Sequence, residues 1–419
     1  MLAPPRCLQS ESLIRDAFQL TVKVLALRVL PQQVGSVTKQ FAANLFNQPR
    51  LRNVSTSAAT KLVLLNQSFQ SPQDLPTPLL DWAQREQCDT CEYELQLGYD
   101  YWQADDILGA ILPTELPPPT SFETVGHIAH MNLRDEYLPY RHLIGQVILD
   151  KARKITTVVN KLDSIDTTFR FFKMEVLAGT DDMLAEVKES GCRFQFDFSK
   201  VYWNSRLHTE HDRLVQRFQP GDYICDVFGG VGPFALPAAK RGCYVYANDL
   251  NPESFKWLQA NIRTNKLDRQ IKPFNLDGRA FIREAFDQLR QQGRVGQEPT
   301  APASVVPDAD QRPFYTFQHV VMNLPATAIE FLDAFKGIFY GFEDTIREHK
   351  IAMPFIHVHC FTKCDEPEKD LFERISSTIN HELTTETPNA VAHFVRKVAP
   401  NKDMYCVTFQ LPEAVAFAR

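Results

Sequence analysis

The sequence predicts an α/β chain: an open, doubly wound sheet over residues 206–419, preceded by two smaller α+β domains over 1–115 and 116–205. Three observations carry that expectation. From about residue 206 short apolar runs alternate with amphipathic stretches, the texture of repeated βαβ units. A glycine cluster, Gly229-Gly230-Val231-Gly232, sits where one apolar run gives way to a helical stretch. Proline punctuation at Pro113 and Pro117-Pro118-Pro119 breaks the periodicity of the N-terminal third and reads as a linker.

Taken in order, the first element is Phe18-Gln-Leu-Thr-Val-Lys-Val-Leu-Ala-Leu-Arg-Val29, which alternates like a strand. The surrounding residues 1–60 hold seven basic side chains against Glu11 and Asp16. That imbalance resembles an organellar address, but the strand texture favours a small folded domain. Cytoplasmic, nuclear and mitochondrial matrix pools are all compatible with it. Next, Pro139 to Asp150 has helical apolar spacing through Leu143, Ile144, Val147 and Ile148, and Arg193 to Phe198 alternates as a strand. Tyr223–Phe228, Cys243–Ala247, Phe317–Met322 and Phe355–Phe361 are buried-type strands. Pro233–Lys240 and Pro252–Asn265 are helices opened by proline in the first turn. Residues 291–313 are rich in Gly, Pro, Gln and Ala, and are expected to form a mobile insert between two strands.

Composition narrows the function. With 45 Lys and Arg against 51 Asp and Glu, a net charge of −6 excludes reliance on global positive charge. No window approaches the roughly twenty apolar residues of a membrane helix. Nine cysteines with one close pair, Cys88 and Cys91, make neither a disulfide framework nor a zinc ribbon, so the thiols are expected to be reduced. His357-Val-His359 and Cys360 to Cys364 have metal-like composition. The two histidines are expected on opposite sides of a strand, packed or hydrogen-bonded, and no metal is expected.

The sharpest local signal is Asp226-Val-Phe-Gly-Gly-Val-Gly-Pro-Phe-Ala235. Glycines admit a ligand close to the backbone, and a helix N-terminus offers unpaired N–H groups. Gly230-Val-Gly232-Pro-Phe-Ala235 fits the dinucleotide pattern, with Asp249 at the distance suited to a ribose hydroxyl. The loop alone serves NAD or S-adenosylmethionine equally. Asp226 favours the second, because a carboxylate repels pyrophosphate and attracts a methionine ammonium. Asn275-Leu-Asp277-Gly278 offers a second acid for an adenine amino group, and Met322-Asn323-Leu-Pro325-Ala326 follows a strand. Bland readings remain for these two: a turn acid and a strand-end cap.

These segments, with Gly126-His-Ile-Ala-His-Met-Asn-Leu-Arg134, Leu138-Pro-Tyr140, Asp150-Lys151 and Val201-Tyr-Trp-Asn-Ser-Arg-Leu-His-Thr-Glu-His-Asp-Arg213, resemble the eukaryotic and archaeal tRNA (guanine-N1)-methyltransferases acting at position 37. The resemblance runs from about residue 121 to the C-terminus. Gly229 stands where alanine is common, and Asn323-Leu-Pro325 follows the eukaryotic rather than the archaeal pattern. It implies a monomeric enzyme with a Rossmann-like class I methyltransferase domain. Its product, N1-methylguanosine, supports reading-frame maintenance. By the same resemblance Asp249 and Leu250 would meet the ribose and adenine neighbourhood, Asp277 and Gly278 the adenine, and His211 the cofactor. Asn323 and Pro325 would border the methyl donor and target base. Glu210 would be the general base, Arg170 would contact guanine O6, and Tyr202 would lie near the target nucleotide.

Chemistry agrees with those roles. Guanine N1 carries a proton at neutral pH, which a carboxylate can accept as the N–C bond forms. Charge then developing toward O6 suits a guanidinium. For RNA, Lys151, Arg153, Lys154, Lys161, Arg170 and Lys173 face only Asp163 and Asp166 in one window, and Phe169, Phe171 and Phe172 interleave with them. Basic and aromatic side chains together suit phosphates around a splayed base, although a solvated surface has the same composition. The N-terminal block is expected to meet the tRNA outer corner, and the remaining domains its anticodon loop. Two other readings stay open: an NAD(P)-dependent oxidoreductase on the same glycine loop, and a silent RNA-binding protein.

Overall fold

The computed structural model describes residues 2–9, 12–57, 59–119, 121–165, 172–292 and 315–419. Asp166, Phe169, Arg170 and Phe171 lie outside the described residues, as does the expected insert from residue 293 onward.

The chain gathers into two compact units, residues 1–122, 129–160 and 175–181 in the first, and 123–128, 161–174 and 182–419 in the second. In the first unit β1 (Leu20–Val29), β2 (Val54–Ser57), β3 (Thr60–Leu64) and β4 (Asp89–Leu97) form an antiparallel sheet in the order β2-β3-β1-β4. Period-two alternation gives β1 two buried faces. Val22, Val24 and Ala26 enter one core, and Leu25, Leu27 and Val29 the other. The second core is closed by α1 (Val34–Gln40) through Val37 and by α2 (Thr77–Arg85) through Leu79 and Trp82. The first also takes Ile107 and Ile111 from α3 (Ala104–Ile111) and Leu143, Ile144, Val147 and Ile148 from α4 (Arg141–Lys151).

That shared core explains why no unit boundary falls at the expected position near 115. The proline run interrupts local periodicity, but the apolar faces on either side of it pack together. Strands β5 (Glu123–Val125), β6 (Ile128–Met131), β7 (Thr157–Ile165) and β8 (Phe172–Gly179) follow α3 and flank α4 in sequence.

The second unit also takes residues 182–205, which the sequence assigned to a separate domain. They form the hairpin β9 (Leu184–Glu189) and β10 (Cys192–Asp197), followed by α5 (His208–Val215). The main sheet runs β13-β12-β11-β14-β15-β17-β16. Its members are β11 (Tyr223–Asp226), β12 (Tyr244–Asn248), β13 (Ile271–Phe274), β14 (His319–Met322), β15 (Phe355–Thr362), β16 (Val391–Ala399) and β17 (Lys402–Gln410). The first five are mutually parallel, as the alternation predicted.

The last two are antiparallel, which the sequence reading did not foresee. Only Pro400 and Asn401 join β16 to β17, with Asn401 at φ 56°, and so short a link permits a hairpin but no parallel crossover. Helices α6 (Ala235–Lys240), α7 (Pro252–Thr264), α8 (Gly278–Gln292), α9 (Glu343–Glu348) and α10 (Pro367–Ile379) belong to the same unit. Phe281, Ile282 and Leu289 of α8 and Leu371, Phe372 and Ile375 of α10 share one core with Cys225, Tyr246, Val320, Val358 and Val407 of the sheet. Asn261 of α7 and Asn265 at its C-terminal cap tie the hairpin to this unit, since their Oδ1 atoms accept the Gln195 and Arg193 N–H groups at 2.8 and 2.9 Å.

Candidate active site

Strand β11 has β12 on one side and β14 on the other, so the order reverses there, and the loops after β11 and β14 leave from the same sheet edge. A crevice at the carboxyl ends beside such a reversal is where open α/β sheets take their ligands. Every strand-end motif singled out in the sequence lies at this edge. The Val227 N–H donates to the Val321 carbonyl at 2.9 Å, holding the glycine loop against β14. Gly230 (φ 54°) and Gly232 (φ 101°) take left-handed backbone conformations, but for different reasons. A side chain on Gly232 would drive into Leu236, whose Cδ1 would be 2.1 Å away, whereas one on Gly230 would meet open space. Gly232 is glycine for packing, and Gly230 leaves room above the loop.

Asp249 fastens the loop from β12. Its Oδ2 accepts the Gly230 N–H and its Oδ1 the Asn251 N–H, both at 2.9 Å. Burial nevertheless lifts its carboxyl to about 6, with those N–H groups pulling the other way. Asn248, which the sequence reading missed, is buried beside it. Its Nδ2 donates to the Val227 and Leu276 carbonyls at 3.1 and 3.0 Å, and its Oδ1 accepts the Leu276 N–H at 2.8 Å. One amide thus joins the loops after β11 and β13. The available signal was its place at a strand end immediately before Asp249.

Asp226 is the electrostatic anomaly. It is fully buried, and neither carboxylate oxygen makes a well-formed hydrogen bond among the described residues. Burial first, then the neighbouring Asp249 carboxylate, pushes it up to about 8; the His359 charge and the Ala235 N–H oppose this less strongly. An orphaned buried carboxyl is costly and calls for a cationic partner. The ammonium of S-adenosylmethionine would supply one, and the room over Gly230 and the Asn323 Oδ1 at the end of β14, unpartnered among the described residues, fit the same ligand.

Other expected cofactor residues have clear structural employment. Exposed Asp277 caps α8, its Oδ1 accepting the Arg279 N–H at 2.9 Å. A side chain on Gly278 would meet Phe228 at 2.9 Å and Phe331 at 3.0 Å, so close packing explains that glycine. Leu250 stands 49% exposed, while its carbonyl and that of Asp249 accept the Asn275 amide. The Pro325 carbonyl accepts the Phe361 N–H at 3.0 Å, which ties the Asn323-Leu-Pro325 turn to β15. His211 is buried, with Nδ1 2.6 Å from Glu189 Oε1 and its ring edge-on to Phe234.

Glu210 is 3% exposed at the start of α5. Arg213 holds it with a fork, Nε to Oε2 at 2.6 Å and Nη2 to Oε1 at 2.8 Å, and His359 Nε2 lies 2.8 Å from Oε1. Burial alone would raise this carboxyl, but the Arg213 and His359 bonds outweigh it and hold it at about 2. His359, which burial would depress, is instead lifted to about 10 by Cys406 and Glu210. His357 and His359 do not lie on opposite sides of β15. Two residues apart on a strand, they share a face, and sequence spacing already required this. His357 is bonded to His319 and Thr408. Glu210, His359 and Cys406 have metal-ligand chemistry within 4.8 Å of one another, but the Arg213 fork occupies the carboxylate. Tyr202 is half exposed, its hydroxyl accepting from Asn204 Nδ2 at 3.3 Å.

The expected RNA contacts in the first unit divide. Arg153 and Lys154 are exposed and have no ion-pair partner among the described residues. Lys151 departs from expectation: its Nζ donates to the Tyr99 carbonyl at 2.6 Å and sits 4.0 Å over the Tyr99 ring, and burial lowers its pKa. It braces a turn through these contacts.

A five-stranded parallel core closed by an antiparallel hairpin differs from the six parallel strands of dinucleotide-binding folds. With the buried acid at the end of β11, it defines a Rossmann-like, S-adenosylmethionine-dependent methyltransferase, and the oxidoreductase reading falls away. Comparison with known proteins specifies it further. The TRM5/TYW2 methyltransferase domain matches residues 185–292, and the TYW2 N-terminal domain matches 104–182. The chain is 46% identical to the tRNA (guanine(37)-N(1))-methyltransferase of Batrachochytrium dendrobatidis, over 100% of this chain and 92% of the relative. It is 47% identical to that of Schizosaccharomyces pombe, over 98% and 96%. The chain belongs to the tRNA (guanine(37)-N(1))-methyltransferase family. Its fold is shared by Pyrococcus abyssi Trm5b (TM-score 0.59, 21% identity, 92% of this chain and 99% of that one). It is also shared by aTrm5 in complex with tRNALeu (TM-score 0.63, 20% identity, 93% and 100%).

Proposed function

We infer that this protein transfers the methyl group of S-adenosylmethionine to N1 of guanosine 37 in tRNA, beside the anticodon. The observation that carries the reading is full-length identity of 46% and 47% to relatives of that activity. When bound, the cofactor supplies an electrophilic methyl group on a sulfonium. Asp226 receives its ammonium, Asp249 its ribose hydroxyls, and Leu250 with Asp277 and Gly278 its adenine. His211 lines the cofactor site, and Asn323 and Pro325 border the methyl group and the incoming base.

Glu210 accepts the N1 proton as the N1–carbon bond forms, so that the product leaves as a neutral N1-methylguanine. Arg170 meets O6, and Tyr202 lies against the target nucleotide. Arg153 and Lys154 contact phosphates of the anticodon arm, the N-terminal residues the outer corner, and the enzyme acts as a monomer. The basic residues of its first 60 positions are compatible with cytosolic, nuclear and mitochondrial pools of the enzyme.

The decisive test is single-turnover methyl transfer to undermodified tRNA, with nucleoside analysis of the product. Glu210→Gln should slow the chemical step by about 10²–10⁴-fold, leaving cofactor and tRNA affinity nearly intact. A parental rate in a folded Gln variant removes Glu210 as the base and turns attention to Asp197.

A further inference from the structure

The two oxygens of Glu210 are held unequally. Oε1 is bonded by fully buried His359 as well as by Arg213 Nη2, both at 2.8 Å, and lies near buried Cys406. Oε2 faces outward: it is bonded by Arg213 Nε, whose side chain is 26% exposed, with His393 Nε2 3.9 Å away and 44% exposed. A nucleobase arriving from solvent would therefore come by the Arg213 and His393 side, whose side chains are the exposed ones around this carboxylate. In the arrangement seen, that approach is closed by the guanidinium fork.

We propose that Arg213 is a positioning residue that covers Glu210 in the resting enzyme and yields Oε2 to guanine N1–H when tRNA binds, while His359 stays on Oε1 as the fixed anchor. The inference rests on the reading of Glu210 as the base. Its physical content is a base activated by its own substrate. A carboxylate locked by a guanidinium is a poor proton acceptor, because acceptor strength follows pKa. Removing the fork as N1–H arrives leaves a buried carboxylate whose desolvation raises its basicity. The N1 proton then passes to Oε2, the N1–carbon bond forms, and the sulfur–carbon electron pair stays with the departing thioether.

Every charged or titratable group near Glu210 enters the expected pH dependence. From α5 there is Arg213, and just beyond it Arg217, which acts on His393. His359 comes from β15, His393 from β16 and Cys406 from β17, while Asp226 couples through His359. The carboxyl is depressed in the free enzyme, so its ionised form persists to low pH and kcat/KM shows no acid limb from it near neutrality.

The experiment is the pH profile of kcat/KM for tRNA at saturating cofactor, for the parent, Arg213→Gln, Arg213→Lys and His359→Gln. The parent shows no such limb, whereas Arg213→Gln should bring an acid limb from Glu210 into the accessible range, above about pH 5. Arg213→Lys, which keeps one cation, should bring in a limb at lower pH. His359→Gln should lower kcat about ten-fold or more without raising KM for tRNA, since the anchor and not the approach is lost. Melting curves and cofactor titration establish folding, and if Arg213→Gln does not fold, the limb of Arg213→Lys decides. No new acid limb in the folded Arg213 variants overturns the proposal whatever their rates. A parental rate in Glu210→Gln removes the underlying base assignment instead, so the two failures are told apart.

Discussion

Replacing Asp226 by Asn removes the most anomalous charge in the fold while keeping its shape. On folding, its carboxyl rises from 3.8 to about 8, mainly through burial. The folded state therefore binds this proton more tightly than the unfolded chain between those values. The stability associated with it is greatest below pH 3.8 and is lost as pH climbs toward 8. At about 1.36 kcal/mol per unit, the roughly four-unit difference sets a ceiling of about 6 kcal/mol. Relaxation around the ionised group lowers that to an expected loss of about 2–3 kcal/mol between pH 5.5 and 8.5. Urea unfolding at several pH values should show the parent losing this much relative to Asp226→Asn. Calorimetry in buffers of different ionisation enthalpy should show the parent releasing about one proton per cofactor bound at pH 7, because the arriving ammonium favours the anion. The Asn variant should release none and bind roughly ten- to a hundred-fold more weakly. Parallel stability curves, or proton release that survives the substitution, would refute the placement of an ammonium at Asp226.

Gly232→Ala should destabilise by about 2–3 kcal/mol in thermal or urea unfolding, through both Leu236 and the positive φ. Gly230→Ala should cost about 1 kcal/mol of stability and act mainly on cofactor affinity, and equal losses in the two would contradict the packing distinction. Asp249→Ala should weaken cofactor binding by about 1.5–3 kcal/mol and loosen the Gly230 loop, with tRNA affinity unchanged; unchanged calorimetric affinity removes it from the site. Arg153→Ala with Lys154→Ala should reduce the salt dependence of tRNA binding by about 1.4–1.8 in log–log slope, whereas Lys151→Ala should leave the slope alone and lower stability.

The sequence by itself determined whatever depends on neighbouring residues. The apolar run into Asp226, the left-handed glycines after it, and Asn251 capping α7 before Pro252 are local, and all were legible as a strand, a loop and a helix start. So was the parallel character of β11 to β15, because intervening helices leave parallel return as the natural course. Only the tertiary structure decided which local pieces meet. The proline run looked like a boundary, yet Phe18, Trp102 and Ile148 share one core across it. Lys151 looked like a phosphate contact until Tyr99 appeared under it. Glu210 was legible as a candidate base, but not as a carboxylate pinned by His359, which lies far along the chain on β15. Nor was Asp226 legible as an orphan, since its isolation comes from the packing of β12 and β14 on either side. Helical and strand periods record only which face of an element is buried; burial depth and cross-strand neighbours are set by non-local packing, and these shift the carboxyls of Asp226, Asp249 and Glu210.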